Sequence, residues 1–273
     1  MTIMMHFSNR SLDDLARAVE DNGAEFLLAL GRAGGGEERV EPQIAWVIGD
    51  SPIDYNNAVV RADLTPEQAD LAIAESIERL QAHDAPGTWH VGPSMRPADL
   101  GARLIAHGFT YTGDEVGMAI DLNALPSELG SRPALTIERV RDERDLAIWI
   151  RTLAAGFGEG EQEAAWTGEM YRRIGLSDEQ PWRHYLGWLD GVPVATASLF
   201  LGAGVAGIYF VFTVAEARRQ GIGAAITLAA LRDAHALGYQ IGVLGASEMG
   251  YPVYQRLGFQ ECCRIGLYVW YAL

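Results

Sequence analysis

Four residues within six, Arg218, Arg219, Gly221 and Gly223 of the segment RRQGIG, stand where a long stretch rich in Ala, Leu and Ile begins. The whole run EARRQGIGAAITLAALRDAHALG reads as one helix, in which each glycine costs about 1 kcal/mol relative to alanine. The first turn of a helix has N–H groups without internal partners and the positive end of the dipole. It is a natural anion site. Glycine lets the backbone approach a bulky anion because no Cβ intervenes, and arginine adds charge and forked donors. A pyrophosphate lying against residues 219–224 accounts for all four residues. Tight helix–strand packing accounts for the glycines alone, and both readings stand on this stretch.

The surrounding elements narrow the choice. YFVFTV (209–214) is a strand that runs directly into the motif. Downstream, GYQIGVLGAS carries another strand, YPVYQRLGF a short helix and CRIGLYVWYAL a last strand. Upstream come the strand ALTIERV, two helices (ERDLAIWIRTLAAGF and EAAWTGEMYRRIGL) and the strands WRHYLGWLD and VPVATASLFLG, which Asp190-Gly191 joins as a hairpin. The first half shows a similar order. A helix around Ser11–Asp21 is followed by a hairpin of AEFLLAL and QIAWVIG, then the strand NAVVRADL. TPEQADLAIAESIERLQAH is a helix with Thr65 as N-cap, Pro66 at the first position and Gln68 completing a capping box. TWHVGPS, ADLGARLIAHGF and GMAIDL close the half as strand, helix and strand. Gly108-Phe109 matches Gly258-Phe259 at the ends of the two short helices, which points to an internal duplication.

Arg218-x-x-Gly221-x-Gly223 between strand and helix, followed by Tyr254-x-x-x-Gly258-Phe259 after the next strand, resembles the GCN5-related N-acetyltransferase (GNAT) superfamily. The resemblance covers residues from about 134 to 273. It implies an α+β fold: two tandem GNAT-like domains, each a mixed, mostly antiparallel sheet flanked by helices. Residues 1–125 would be a degenerate copy, 126–133 a linker and 134–273 the acetyltransferase domain. Acetyl-CoA would be the co-substrate. Its pyrophosphate would lie on Arg218, Arg219, Gln220, Gly221, Ile222, Gly223 and Ala224, and its pantetheine arm beside Phe212, Thr213 and Val214. Main-chain groups of Phe212 and Val214 would bond that arm, and an N–H of this stretch would polarise the thioester. Ser247 falls where many members have asparagine at the cofactor wall. Tyr254 would protonate the departing thiolate as a neutral amine attacks the carbonyl. No glutamate occurs in IYFVFTV, so the base would be Glu159, Glu161, Glu163 or water. A catalytically silent acyl-CoA sensor or pseudo-enzyme is the competing reading.

The degenerate copy has Pro66, Glu67 and Asp70 where the phosphate loop would be, and Leu104 where Tyr254 would be. Proline there removes an N–H, and the acids repel an anion. This copy is expected to be structural.

Other chemistries fit less well. GAGVAG (202–207) satisfies Gly-x-Gly-x-x-Gly, but a strand follows it rather than the helix a dinucleotide site requires. The chain has no lysine, so a P-loop is excluded. Ser198, His184 and Asp190 lack a Gly-x-Ser-x-Gly elbow, and His184 reads as structural. Cys262 and Cys263 are the only cysteines, and no zinc-type spacing exists, so neither a disulfide framework nor a metal is expected. The net charge is −15, with 8 Arg against 21 Asp and Glu in residues 1–130. Such acidity opposes nucleic-acid binding. No apolar run suits a membrane span and no signal peptide is evident. The expectation is a cytoplasmic monomer or homodimer that acts on a small-molecule amine and contacts neither nucleic acid nor membrane.

Overall fold

The computed structural model describes residues 7, 10–126, 134–157 and 161–271. Along the chain run α1 (Leu12–Ala33), β1 (Glu37–Val40), β2 (Ile44–Ile48), β3 (Ala58–Ala62), α2 (Pro66–Ala82), β4 (Gly87–Val91), α3 (Leu100–Ala106) and β5 (Thr110–Asp121). Then follow β6 (Leu135–Arg139), α4 (Glu143–Phe157), α5 (Glu161–Ile174), β7 (Trp182–Leu189), β8 (Val192–Gly202), β9 (Val205–Thr213), α6 (Ile222–Ala236), β10 (Ile241–Ala246), α7 (Tyr251–Leu257) and β11 (Gln260–Trp270). The elements form mixed, mostly antiparallel sheets flanked by helices, as the sequence implies. Most of the expected linker, 127–133, lies outside the described residues. Among the described residues no helix is long and apolar enough to cross a membrane.

The chain divides into two compact units that do not follow its linear order. One comprises Gly23–Gly117 with Cys263–Leu273. Its strands run β1-β2-β3-β4-β11, and Gly266–Trp270 pairs antiparallel with Gly87–Val91. Trp270 thereby joins a core of Trp46, Val59, Ile73, Leu80, Trp89 and Leu104. α2 starts as its sequence dictates: Thr65 Oγ1 accepts from Gln68 N–H at 3.3 Å, and Gln68 Oε1 accepts from Thr65 N–H at 2.9 Å.

The other unit comprises Met1–Asn22 with Met118–Cys262. Its strands run β6-β7-β8-β9-β10, followed by the Met118–Asp121 end of β5. All pairs from β6 to β9 are antiparallel, and β9–β10 is parallel. Parallel neighbours need a crossover, and α6 supplies it.

The helix expected at Ser11–Asp21 and the strand expected at AEFLLAL are one helix, α1. Leu15, Val19, Asn22, Phe26 and Leu30 are buried. Spacings of three and four mark a helical stripe. The short apolar run 24–30 is compatible with strand or helix when read by itself, and the stripe begun at Leu15 decides for helix. The long helix around RRQGIG likewise starts later than its composition suggests. Ala215–Ala217 is a single 3₁₀ turn and α6 begins at Ile222.

Candidate active site

β9 carries a β-bulge. Pairing with β8 shifts between Thr196↔Phe212 and Ser198↔Tyr209, so Phe210 and Val211 together oppose Ala197. Phe210 takes φ +49°, unusual for a bulky residue. Its ring meets Trp149 of α4 and Tyr171 of α5 edge-on at 6.0 and 6.3 Å, and Thr196 Oγ1 donates to its carbonyl at 2.9 Å. No sequence signal marked this bulge.

On its other side β9 leaves β10 early. Parallel pairing covers only Ala206↔Gly242 and Gly207↔Val243, so the stretch from Ile208 onward opens a slot between the two strands. Val214 N–H donates to Val194 O at 2.9 Å, and its carbonyl accepts from Ala217 N–H at 3.0 Å. The alternation of an antiparallel ladder then directs Phe212 toward Thr196 of β8 and turns the main chain of Thr213 to the open side. The main chains of Phe212 and Val214 are thus engaged within the protein, and that of Thr213 faces the open side.

Beyond the slot lies the uncapped end of α6. Arg219 has φ +59° and Gly221 φ +72°, an arrangement that curls successive N–H groups into a concave nest. Gly221 is the N-cap and has no side-chain hydrogen bond. Among the described residues, no N–H from Arg219 to Ala224 reaches a backbone acceptor, and Ala225 is the first to bond back, to Gly221 O at 3.0 Å. Arg218, Arg219, Gln220 and Gly221 are exposed, Gly223 and Ala224 are half-buried, and Ile222 anchors the turn in the core. Arg218 Nε donates to Thr213 O at 3.0 Å, and its guanidinium lies 5.4 Å from the centre of the Phe212 ring. This ties the arginine to the mouth of the slot.

The glycines have different reasons. Gly221 needs its left-handed backbone, which costs other residues about 1–2 kcal/mol. Gly223 is an ordinary helical residue, and a Cβ there would meet only Thr213 Oγ1, at 3.6 Å, an unstrained contact. Packing within the protein therefore does not account for Gly223.

α7 follows β10. Ser247 is exposed, and its Oγ and carbonyl both accept from Gly250 N–H, at 3.2 and 3.0 Å. Its side chain thus braces the turn that leads into α7. Tyr254 is buried, with its ring 5.7 Å from Phe259. Gly258 ends the helix at φ +102°, and Phe259 N–H returns to Tyr254 O at 3.0 Å. The first half repeats this cap: Gly108 has φ +93°, and Phe109 N–H bonds Leu104 O at 3.0 Å. A leucine makes the cap equally well, so the cap does not require the Tyr254 hydroxyl. Glu163 is half-buried on α5, whereas Glu159 and the side chain of Glu161 lie outside the described residues.

The matching place in the other unit is closed. Its parallel pair is Ala58↔Thr88 and Val59↔Trp89. Past it, Arg96 N–H donates to Ala62 O at 2.8 Å and Leu64 N–H to Arg96 O at 3.3 Å. The chain itself fills the gap between β3 and β4, and the capping box occupies the start of α2.

His184 and Ser198 do meet, Nδ1 to Oγ at 2.8 Å, but Ser198 is fully buried and Asp190 sits in the β7–β8 turn at φ +51°. No hydrolytic triad forms. Ala203 and Gly204, with φ of +50° and +77°, make GAGVAG a hairpin turn. Burial, aided by Arg139 and Arg183, lowers the His184 pKa to about 3. The unfolded chain takes up a proton near pH 6.5 that the folded form refuses until about pH 3. This contribution is whole above pH 6.5 and is lost as pH falls. His184→Gln should therefore lose about 2–3 kcal/mol less than the parent between pH 6.5 and 4.5, as read from urea unfolding at each pH.

Residues 126–252 match the family model described as an acetyltransferase (GNAT) domain. A GCN5-related N-acetyltransferase from Kribbella flavida superposes with a TM-score of 0.72 at 20% identity, covering 93% of this chain and 94% of that one. One from Sphaerobacter thermophilus gives 0.62 at 16% identity, covering 85% and 81%. A tandem GNAT protein from the clavulanic acid biosynthesis pathway gives 0.55 at 16%, covering 84% and 78%. No curated protein matches the sequence. The segment 126–252 is thus similar to GNAT acetyltransferase domains, and the superposed structures share this chain's fold.

Proposed function

We propose that the 134–273 domain transfers an acetyl group from acetyl-CoA to a primary amine, either a small molecule or an N-terminal amine, within a ternary complex. The observation that carries this reading is the uncapped end of α6, opened by a glycine that no internal contact requires, at the mouth of the β9–β10 slot. The nest and Arg218–Arg219 would hold the pyrophosphate. The Thr213 main chain would hold the pantetheine arm, and an N–H at the bulge would face the thioester oxygen. The neutral amine attacks the carbonyl carbon, a C–N bond forms and the C–S bond breaks. The Tyr254 hydroxyl protonates the leaving thiolate, and the amine proton passes to water or Glu163. The other unit, with its gap closed, would be a degenerate structural copy.

Thiol release from acetyl-CoA across a panel of primary amines tests this reading. Turnover with at least one amine is expected, and Tyr254→Phe should lower kcat at unchanged acetyl-CoA affinity. A non-catalytic acyl-CoA sensor is the second reading, favoured by the absence of a carboxylate in β9. Tight binding with no turnover on any amine would select it.

A further inference from the structure

Asn22 of α1 is fully buried, 180 residues from its partner in the hairpin of β8 and β9. Its Nδ2 donates to Gly202 O at 2.9 Å, and its Oδ1 accepts from the Tyr209 hydroxyl at 2.7 Å. A carbonyl can only accept, so the amide orientation is fixed by its partners. A Cβ on Gly207 would lie 1.9 Å from Oδ1. That position is glycine because the carboxamide rests on it. Gly202 ends β8, Gly207 is the last residue of β9 paired with β10, and Tyr209 directly precedes the bulge at Phe210. One side chain thus touches β9 on both sides of the point where it leaves β10.

We infer that Asn22 is a positioning residue that sets the opening of the β9–β10 slot, so that the pantetheine site in the C-terminal domain depends on the first helix of the chain. No other residue type substitutes readily. Aspartate would set a second acceptor against Gly202 O, leucine pairs neither group, and an unpaired buried polar group is costly. The ligand part of this inference rests on the acyl-CoA reading above. The strand-holding part does not.

The test uses the full chain with Asn22→Ala and, separately, Tyr209→Phe. Amide hydrogen exchange in the unliganded protein should quicken by about tenfold in 208–213, while β7 and α6 keep the parent's rates. Calorimetry should show acetyl-CoA affinity falling by about tenfold. The affinity for 3′-phospho-ADP, which has the pyrophosphate but no pantetheine arm, should hold. Unchanged exchange in 208–213, faster exchange spread evenly over the unit, or equal losses for both ligands would overturn the inference. A parent protein that binds no acetyl-CoA would instead overturn the acyl-CoA reading and the ligand part with it. The exchange rates would then still decide whether Asn22 holds the strand.

Discussion

Gly223→Glu should make the protein more stable and abolish its affinity for acetyl-CoA. The two effects have opposite signs, which a general folding defect cannot imitate. Gly223 sits in the first turn of α6, and the space around a Cβ there is open apart from Thr213 Oγ1 at 3.6 Å. Glutamate has a better helix propensity than glycine by roughly 0.5 kcal/mol. A negative charge in the first turn adds about 0.3–1 kcal/mol through the dipole. Thermal melting should therefore shift upward. The same side chain would occupy the approach to the N–H nest between Arg219 and Ala224 and repel a pyrophosphate. Losing two charge-assisted bonds at about 1.5–3 kcal/mol each weakens binding by at least about a hundredfold. Calorimetric titration with acetyl-CoA measures that loss. Retained affinity would show that the anion does not use this helix end.

Trp270→Ala, near the far end of the chain, should destabilise the unit built mainly from Gly23–Gly117. Gly266–Trp270 is the strand beside β4, and the Trp270 ring completes the core around Trp89 and Leu104. Truncating a buried tryptophan costs about 3–5 kcal/mol, a large part of the stability of an ordinary domain. Urea unfolding should show that loss. Hydrogen exchange should place it in 44–48 and 87–91, both far from the substitution in sequence. Loss confined to the neighbourhood of α7 would contradict the pairing. Ending the chain at residue 262 should have a larger effect, because it removes the whole β4-facing strand.

Both expectations show how the site divides between local and distant causes. The capping box at Thr65, the left-handed glycines at 108 and 258 and the Asp190-Gly191 turn follow from bonds spanning five residues or fewer, so residue type at a fixed spacing reveals them. The end of α6 was legible for the same reason: two arginines and two glycines signal an uncapped turn whatever surrounds it. Its finer form was not, since the helix begins at Ile222 and the motif is mostly a loop before it. The short apolar run 24–30 has no periodicity of its own, and only the buried stripe from Leu15 to Leu30 makes α1 a single helix.

The sequence by itself determined the candidate anion site, the family resemblance and the contrast between the starts of α2 and α6, because each rests on contacts within a few residues. Only the tertiary structure decided the slot. The bulge at Phe210 exists because β8 and β9 slip register by one residue, and no local preference favours a positive φ for phenylalanine. The gap between β3 and β4 is closed by Arg96, more than thirty residues beyond the strand it pairs with. The strand beside β4 comes from the chain's last residues, and Asn22 reaches β9 from the first helix. Such pairings depend on which surfaces meet once the chain is compact, and residue spacing does not encode them.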